Sequence, residues 1–134
     1  MDGNVFPREW SEERVRESQS LFERCGVGLW LASDAATDEL VGFCGFMEIA
    51  SIHPQPQLVY ALLERFSGLG YATEMARASI AHGRGRGFAQ LLDSVDEVNA
   101  ASCRVLEKLG FERVATQQGS FGPMFVVRLA LPSI

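Results

Sequence analysis

The stretch Arg65-Phe66-Ser67-Gly68-Leu69-Gly70 has the residue types that a bound phosphate needs. Two glycines one residue apart allow a tight turn and let several backbone N–H groups converge. A helix following the loop would add its unpaired N-terminal N–H groups and the positive end of its dipole. A pyrophosphate suits such a nest. A turn that binds nothing would show the same glycine spacing, so this loop on its own leaves both readings open. A dinucleotide-binding GxGxxG does not fit, because its third glycine would fall at Thr73. Further along, Asn99 is suited to cap a helix starting at Ala100. Cys103 is a nucleophile by type, but it stands inside that helix with no histidine nearby and reads as a core side chain. Cys25, Cys44 and Cys103 form no CxxC pair and no cluster with His53 or His82, so no metal is expected.

To hold these residues in place the glycine loop needs a strand before it and a helix after it. Leu58–Leu63 reads as the strand. The helix then carries Ala72, Met75, Ala76, Ser79 and Ile80 at three-to-four spacing, a small-residue face able to lie close on a sheet. Gly83, Gly85 and Gly87 punctuate the return to a strand at Ala89–Val95. The helix Ala100–Leu109 turns Ala101, Val105, Leu106 and Leu109 inward, with Gly110 as its stop and Phe111 as the contact after it. Upstream, Ser11–Cys25 reads as a helix capped by Ser11 and ended by Gly26. Val27–Ala32 and Leu40–Ile49 read as strands joined through Ser33–Glu39, and Ser51–Gln57, with Pro54 and Pro56, reads as a loop. Arg113–Gln117 and Met124–Leu131 are the closing strands. A strand–helix–strand succession implies a right-handed parallel crossover, and the hairpins on either side imply antiparallel neighbours. The expected fold class is therefore α/β (α+β), a mixed sheet with helices on its faces, in one domain spanning residues 1–134.

The bulk composition agrees with one globular domain. The chain has 134 residues, 47% hydrophobic and 22% charged, enough for a core without a disulfide or metal staple. Twelve basic against seventeen acidic side chains give a net charge of −5, which argues against nucleic acid or an anionic membrane as partner. A polar N-terminus without an apolar stretch, no long apolar run, and an odd number of widely spaced cysteines point to a reduced, cytoplasmic protein.

The loop Arg65-x-x-Gly68-x-Gly70 continues as Tyr71-Ala72-Thr73-Glu74. It is followed, one strand later, by Asn99-x-x-Ser102-x-x-x-Leu106-Glu107-Lys108-Leu109-Gly110-Phe111. Together the two clusters resemble the GCN5-related N-acetyltransferase (GNAT) superfamily, above all its branch of ribosomal-protein N-terminal acetyltransferases. The resemblance runs from about Ser11 to Leu131, with its specific part between Tyr60 and Phe111. It implies a mostly antiparallel sheet in which a central parallel pair, Leu58–Leu63 and Ala89–Val95, splays apart to admit acetyl-CoA as co-substrate. It also implies backbone contacts from Ala61, Leu62 and Leu63 to the pantetheine arm, with the Leu62 N–H as donor to the acetyl oxygen. The amides of Gly68, Leu69, Gly70, Tyr71 and Ala72 would take the pyrophosphate. Arg65 would brace the loop or meet a phosphate, and Arg104 or Lys108 would reach the ribose phosphate. Asn99 would contact the cofactor near its thiol. Ser102 would either protonate the departing thiolate or serve only as a hydrogen-bonding group.

The activity so implied is acetyl transfer from acetyl-CoA to a primary amine, a protein N-terminus or a small molecule, by direct attack in a ternary complex. Such transfer needs a general base. The carboxylate that the family often carries two or three residues before the Tyr60 position is replaced here by Gln57-Leu58-Val59. Glu48, Asp93 and Glu97 are the remaining candidates, Glu48 ranking first because it ends a strand expected to border the cleft. Relatives begin with a strand and a helix ahead of the Ser11–Cys25 helix, whereas ten residues stand before Ser11 here. Val27–Ala32 is accordingly expected at a sheet edge, a place that a second copy would fill in a homodimer. The alternative to an active enzyme is a catalytically degenerate acyl-CoA-binding or assembly protein.

Overall fold

The computed structural model describes residues 8–48 and 56–132. Along them run α1 (Arg8–Cys25), β1 (Leu29–Ser33), β2 (Leu40–Met47), β3 (Gln57–Leu62), a 3-10 turn (Glu64–Phe66), α2 (Tyr71–Gly85), β4 (Gln90–Asp96), α3 (Ala100–Lys108), β5 (Glu112–Gly119) and β6 (Gly122–Ala130). The strands form two antiparallel three-stranded sheets, β1-β2-β3 and β4-β6-β5. Between β3 and β4, linked by the α2 crossover, there is side-by-side contact but no hydrogen-bonded ladder. The expected mixed sheet is thus realised as two sheets that meet at a splayed seam.

Local sequence explains most of the boundaries. Gly26 ends α1 at φ 74°, its N–H bonding the Phe22 carbonyl at 2.9 Å, a left-handed stop that glycine adopts without penalty. Among the described residues the helix already runs from Arg8, so Ser11 lies within it. Helix α2 runs through Gly83 to Gly85, past the glycines expected to break it. Its Gly83 packs under two rings, and a Cβ there would stand 3.0 Å from Phe46 Cζ, so close packing accounts for a glycine inside the helix. Ile49 and most of the Ser51–Gln57 loop lie outside the described residues, while Gln57 itself opens β3.

One core joins both sheets and all three helices. Leu21 of α1, Phe46 of β2, Leu58 of β3, Ala76 and Ile80 of α2, Leu91 and Val95 of β4, Leu106 of α3 and Val127 of β6 belong to a single buried cluster. Fully burying a side chain such as Phe46, Leu58 or Leu91 contributes about 2 kcal/mol. A second cluster of Val41, Cys44, Phe66 and Met75 lies beneath the glycine loop. At the other end, Trp30 packs edge-on against Phe22 and His82, and His82 Nε2–H donates to the Gly26 carbonyl at 2.8 Å. These contacts tie α1 and β1 to α2. Strand β1 is the outer strand of its sheet among the described residues, with Leu31 78% exposed.

Candidate active site

The glycine loop is held from below and from the side. Phe66 is buried and meets the Tyr71 ring at 5.4 Å, so both ends of the loop are anchored. The Tyr71 hydroxyl donates to Asp34 of the β1–β2 connection, whose other oxygen accepts from the Ala36 and Thr37 N–H groups at 2.8 and 3.0 Å. The Tyr71 bond, ahead of the two backbone bonds, holds the Asp34 carboxyl below its usual range. The same bond holds the Tyr71 phenol above its ordinary value.

Between these anchors the backbone turns outward. Gly68 and Gly70 sit at φ 76° and 88°, and a Cβ on either would meet nothing within 4 Å. From Gly68 through Thr73, no carbonyl or side chain among the described residues accepts the backbone N–H groups, the first intrahelical bond being Glu74 N–H to Gly70 O at 3.2 Å. A run of unpaired donors at a helix N-terminus above open space is what an anionic phosphate group requires. These groups fit a diphosphate.

The loop forms one wall of a cavity of about 530 Å³, whose other walls are Tyr60, Ala61 and Leu62 of β3 and Asn99, Ser102, Arg104 and Lys108 of α3. Asn99 caps α3, its Oδ1 accepting from the Ser102 N–H at 3.1 Å. Ser102 Oγ lies 3.0 Å from Tyr60 Oη. Burial holds the Tyr60 phenol above its ordinary pKa, with the bond from Ser102 pulling the other way. On the same strand the Ala61 carbonyl oxygen lies close over Gly42, where a Cβ would stand 1.9 Å from it. In a planar trans peptide the Leu62 N–H is antiparallel to the Ala61 carbonyl, so it is directed away from Gly42.

A smaller cavity of about 140 Å³ lies along the seam. It shares Tyr60 and Ser102 with the larger one and is lined besides by Leu58 and Leu106 and by Asp93 of β4. Asp93 is 7% exposed. Its one hydrogen bond comes from the adjacent Ser94 N–H at 2.7 Å, and no cation among the described residues pairs with it. Burial, opposed only by that bond, pushes its carboxyl up to about 8.

The expected site residues therefore divide. Ala61, Leu62, Gly68, Gly70, Ala72, Asn99 and Ser102 share the large cavity, together with Arg104 and Lys108. Leu69 and Tyr71 belong to the same run of unpaired amides, and Leu63 joins the loop to β2 through its N–H, which donates to Val41 O at 2.8 Å. Arg65 turns away toward Glu39, 3.9 Å off, with its guanidinium 4.9 Å from the Phe66 ring centre, a bracing geometry. Glu48 is ion-paired with Arg24 of α1 and lines a separate cavity between α1 and the end of β2. Tyr60 is the residue that sequence reasoning passed over. An aromatic hydroxyl on the strand before the loop is the only signal, and its partner is 42 positions away.

Comparison with known proteins follows the same lines. The family model described as Acetyltransferase (GNAT) domain matches residues 3–112. The uncharacterised protein YkkB of Bacillus subtilis (strain 168) is 37% identical over 106 residues, which are 77% of this chain. The chain spans 59% of that relative's length, less than two thirds. Among solved structures, a Bordetella pertussis protein ascribed to the GnaT acetyltransferase family superposes with a TM-score of 0.85 at 20% identity, covering 97% of this chain and 82% of that one. RimL, a ribosomal L7/L12 alpha-N-protein acetyltransferase in complex with coenzyme A, superposes with a TM-score of 0.79 at 19% identity, covering 95% and 75%.

Proposed function

This chain belongs to the GNAT acetyltransferase family, and from that premise we propose that it transfers an acetyl group from acetyl-CoA to a primary amine by direct attack. The observation that carries the reading is the run of unpaired amides from Gly68 through Thr73, opening into the cavity that also holds Asn99, Ser102 and Tyr60. Those amides hold the pyrophosphate, and Arg104 or Lys108 meets the ribose phosphate by charge. Acetyl-CoA supplies the activated thioester when bound. The Leu62 N–H, directed away from Gly42 by the planar Ala61–Leu62 peptide, is the donor toward the acetyl oxygen. Ser102, polarised by Tyr60, returns a proton to the leaving sulfur; a relay through the pair suits a hydroxyl too weakly acidic to act alone. Arg65 braces the loop through Glu39.

The acceptor is an amine, and the ribosomal-protein acetyltransferase among the structural neighbours supports including peptide N-termini among the candidates. The three free cysteines fit a cytoplasmic setting. The outer strand β1 with its exposed Leu31 supports self-association, which sedimentation would detect.

Calorimetry with acetyl-CoA, followed by thiol release over a panel of peptides beginning with alanine or serine, spermidine and glucosamine, tests the proposal. Saturable binding with turnover on at least one amine is the expected result. Binding without turnover would make the protein an acyl-CoA-binding relative, and absence of binding would overturn the reading altogether.

A further inference from the structure

Asp93 is one of three carboxylates that could serve as a base, ranking behind Glu48 in the sequence, and its position is unusual. It is a buried carboxyl on β4 between two core residues, Leu91 and Val95, with no cationic partner among the described residues. An acidic side chain in such a place is expensive to keep unless something uses it. Its cavity meets the nucleotide-side cavity at the Tyr60–Ser102 hydrogen bond. If the thioester reaches that bond from the loop side, the space beyond it, floored by Asp93, is where an attacking amine would stand.

We propose that Asp93 is the catalytic base, taking a proton from the acceptor ammonium on the side of the Tyr60–Ser102 pair opposite the nucleotide. This inference rests on the acetyltransferase reading and adds the group that reading lacks. One proton of the ammonium passes to the Asp93 carboxylate, freeing the nitrogen lone pair. The nitrogen then bonds to the acetyl carbon and the carbon–sulfur bond breaks. The second proton leaving nitrogen replaces the one that the Ser102–Tyr60 pair gives to sulfur, and Asp93 returns its own to solvent.

The surroundings suit a base working near neutrality. Among the described residues that line its cavity, Tyr60 from β3 is the other titratable group, and across β6 the partner of Asp93 is the apolar Val127. Burial, opposed only by the Ser94 N–H, therefore sets its proton affinity at about 8, close to the value at which a general base is most effective.

The test compares two nucleophiles. An alkylamine is protonated at neutral pH and needs a base; hydroxylamine is largely neutral there and does not. With the best alkylamine of the panel, Asp93→Asn is expected to lower kcat/KM about 100-fold, while hydroxylamine loses less than about threefold and acetyl-CoA affinity is unchanged. In the wild type, the pH profile of kcat/KM for the alkylamine should carry an inflection near 8, and the variant should lose that inflection while still rising as the amine itself deprotonates. Asp93→Ser carries the same expectation should the asparagine variant be unstable. Equal losses on both nucleophiles, or no loss on either, would overturn the assignment and leave the acetyltransferase reading intact. A wild type that turns over neither nucleophile would sink both.

Discussion

Tyr60 Oη stands 3.0 Å from Ser102 Oγ, so a single side-chain hydrogen bond joins β3 to α3 where the two cavities meet. Groups that act as a relay lose function together. Ser102→Ala and Tyr60→Phe are each expected to lower kcat by about 100-fold, with the double variant little worse than either. Acetyl-CoA affinity should hold in all three by calorimetry. Full activity of Ser102→Ala would remove the relay.

Gly70→Asp places a side chain and a negative charge among the unpaired amides. A Cβ at Gly70 meets nothing within 4 Å, although φ 88° is a strained conformation for any other residue. The fold should survive, because aspartate tolerates left-handed backbone better than most residues. Acetyl-CoA affinity should fall by at least about 100-fold, some 3 kcal/mol. Unchanged affinity with an intact circular dichroism spectrum would place the phosphates elsewhere.

Gly42→Ala tests the close approach of the Ala61–Leu62 peptide of β3 to β2. The new methyl would lie 1.9 Å from the Ala61 oxygen and 3.0 Å from Leu62 Cα, so β3 must shift. A loss of about 1–3 kcal/mol in stability is expected, measured by urea unfolding. A fall in kcat should accompany it, because the Leu62 N–H moves with the Ala61 carbonyl. A variant as active as the wild type would separate Leu62 from the chemistry.

Asp93 also predicts how stability varies with pH. Its carboxyl is raised by burial to about 8 in the folded chain, against about 3.9 when unfolded. Between these values the folded state keeps a proton that the unfolded chain has released. Stability therefore falls as pH rises through this window and levels off above it, by up to about 1.4 kcal/mol per pH unit. Asp93→Asn should flatten that slope and be the more stable protein above about pH 8. Parallel slopes for the two proteins in urea titrations would contradict the burial of the charge.

Gln57 is fully buried, and among the described residues neither its Nε2 nor its Oε1 has a hydrogen-bond partner. Replacing an unsatisfied amide with an apolar side chain of similar length removes a desolvation penalty. Gln57→Met should raise stability by about 1 kcal/mol, read as a higher urea midpoint at constant slope. A lower midpoint would mean that the amide is satisfied in solution.

The glycine loop and the Asn99 cap were legible in the sequence because they are local: glycine spacing sets the turn, and an asparagine one position before a helix caps it. The element order was legible for the same reason. Boundaries shifted where packing decided them, as at Gly83, whose place under the Phe46 and Phe88 rings keeps α2 running. Relations across long separations were not legible. Nothing in the order of residues says that Tyr60 meets Ser102, that Arg65 leans on Glu39, or that Glu48 is taken up by Arg24. Asp93 could be named as a carboxylate but ranked behind Glu48 in the sequence, because burial depends on the strands and helix that close over it.

At the seam, β3 and β4 face each other with no ladder between them, which leaves two strand borders inside one molecule rather than at its rim. Buried main-chain amides need partners, and an elongated guest carrying amides of its own would complete both borders at once, much like a rung set between two rails. Deuterium uptake along β3 and β4 should then slow when such a guest is in place, while the outer strands β1 and β5 exchange as before.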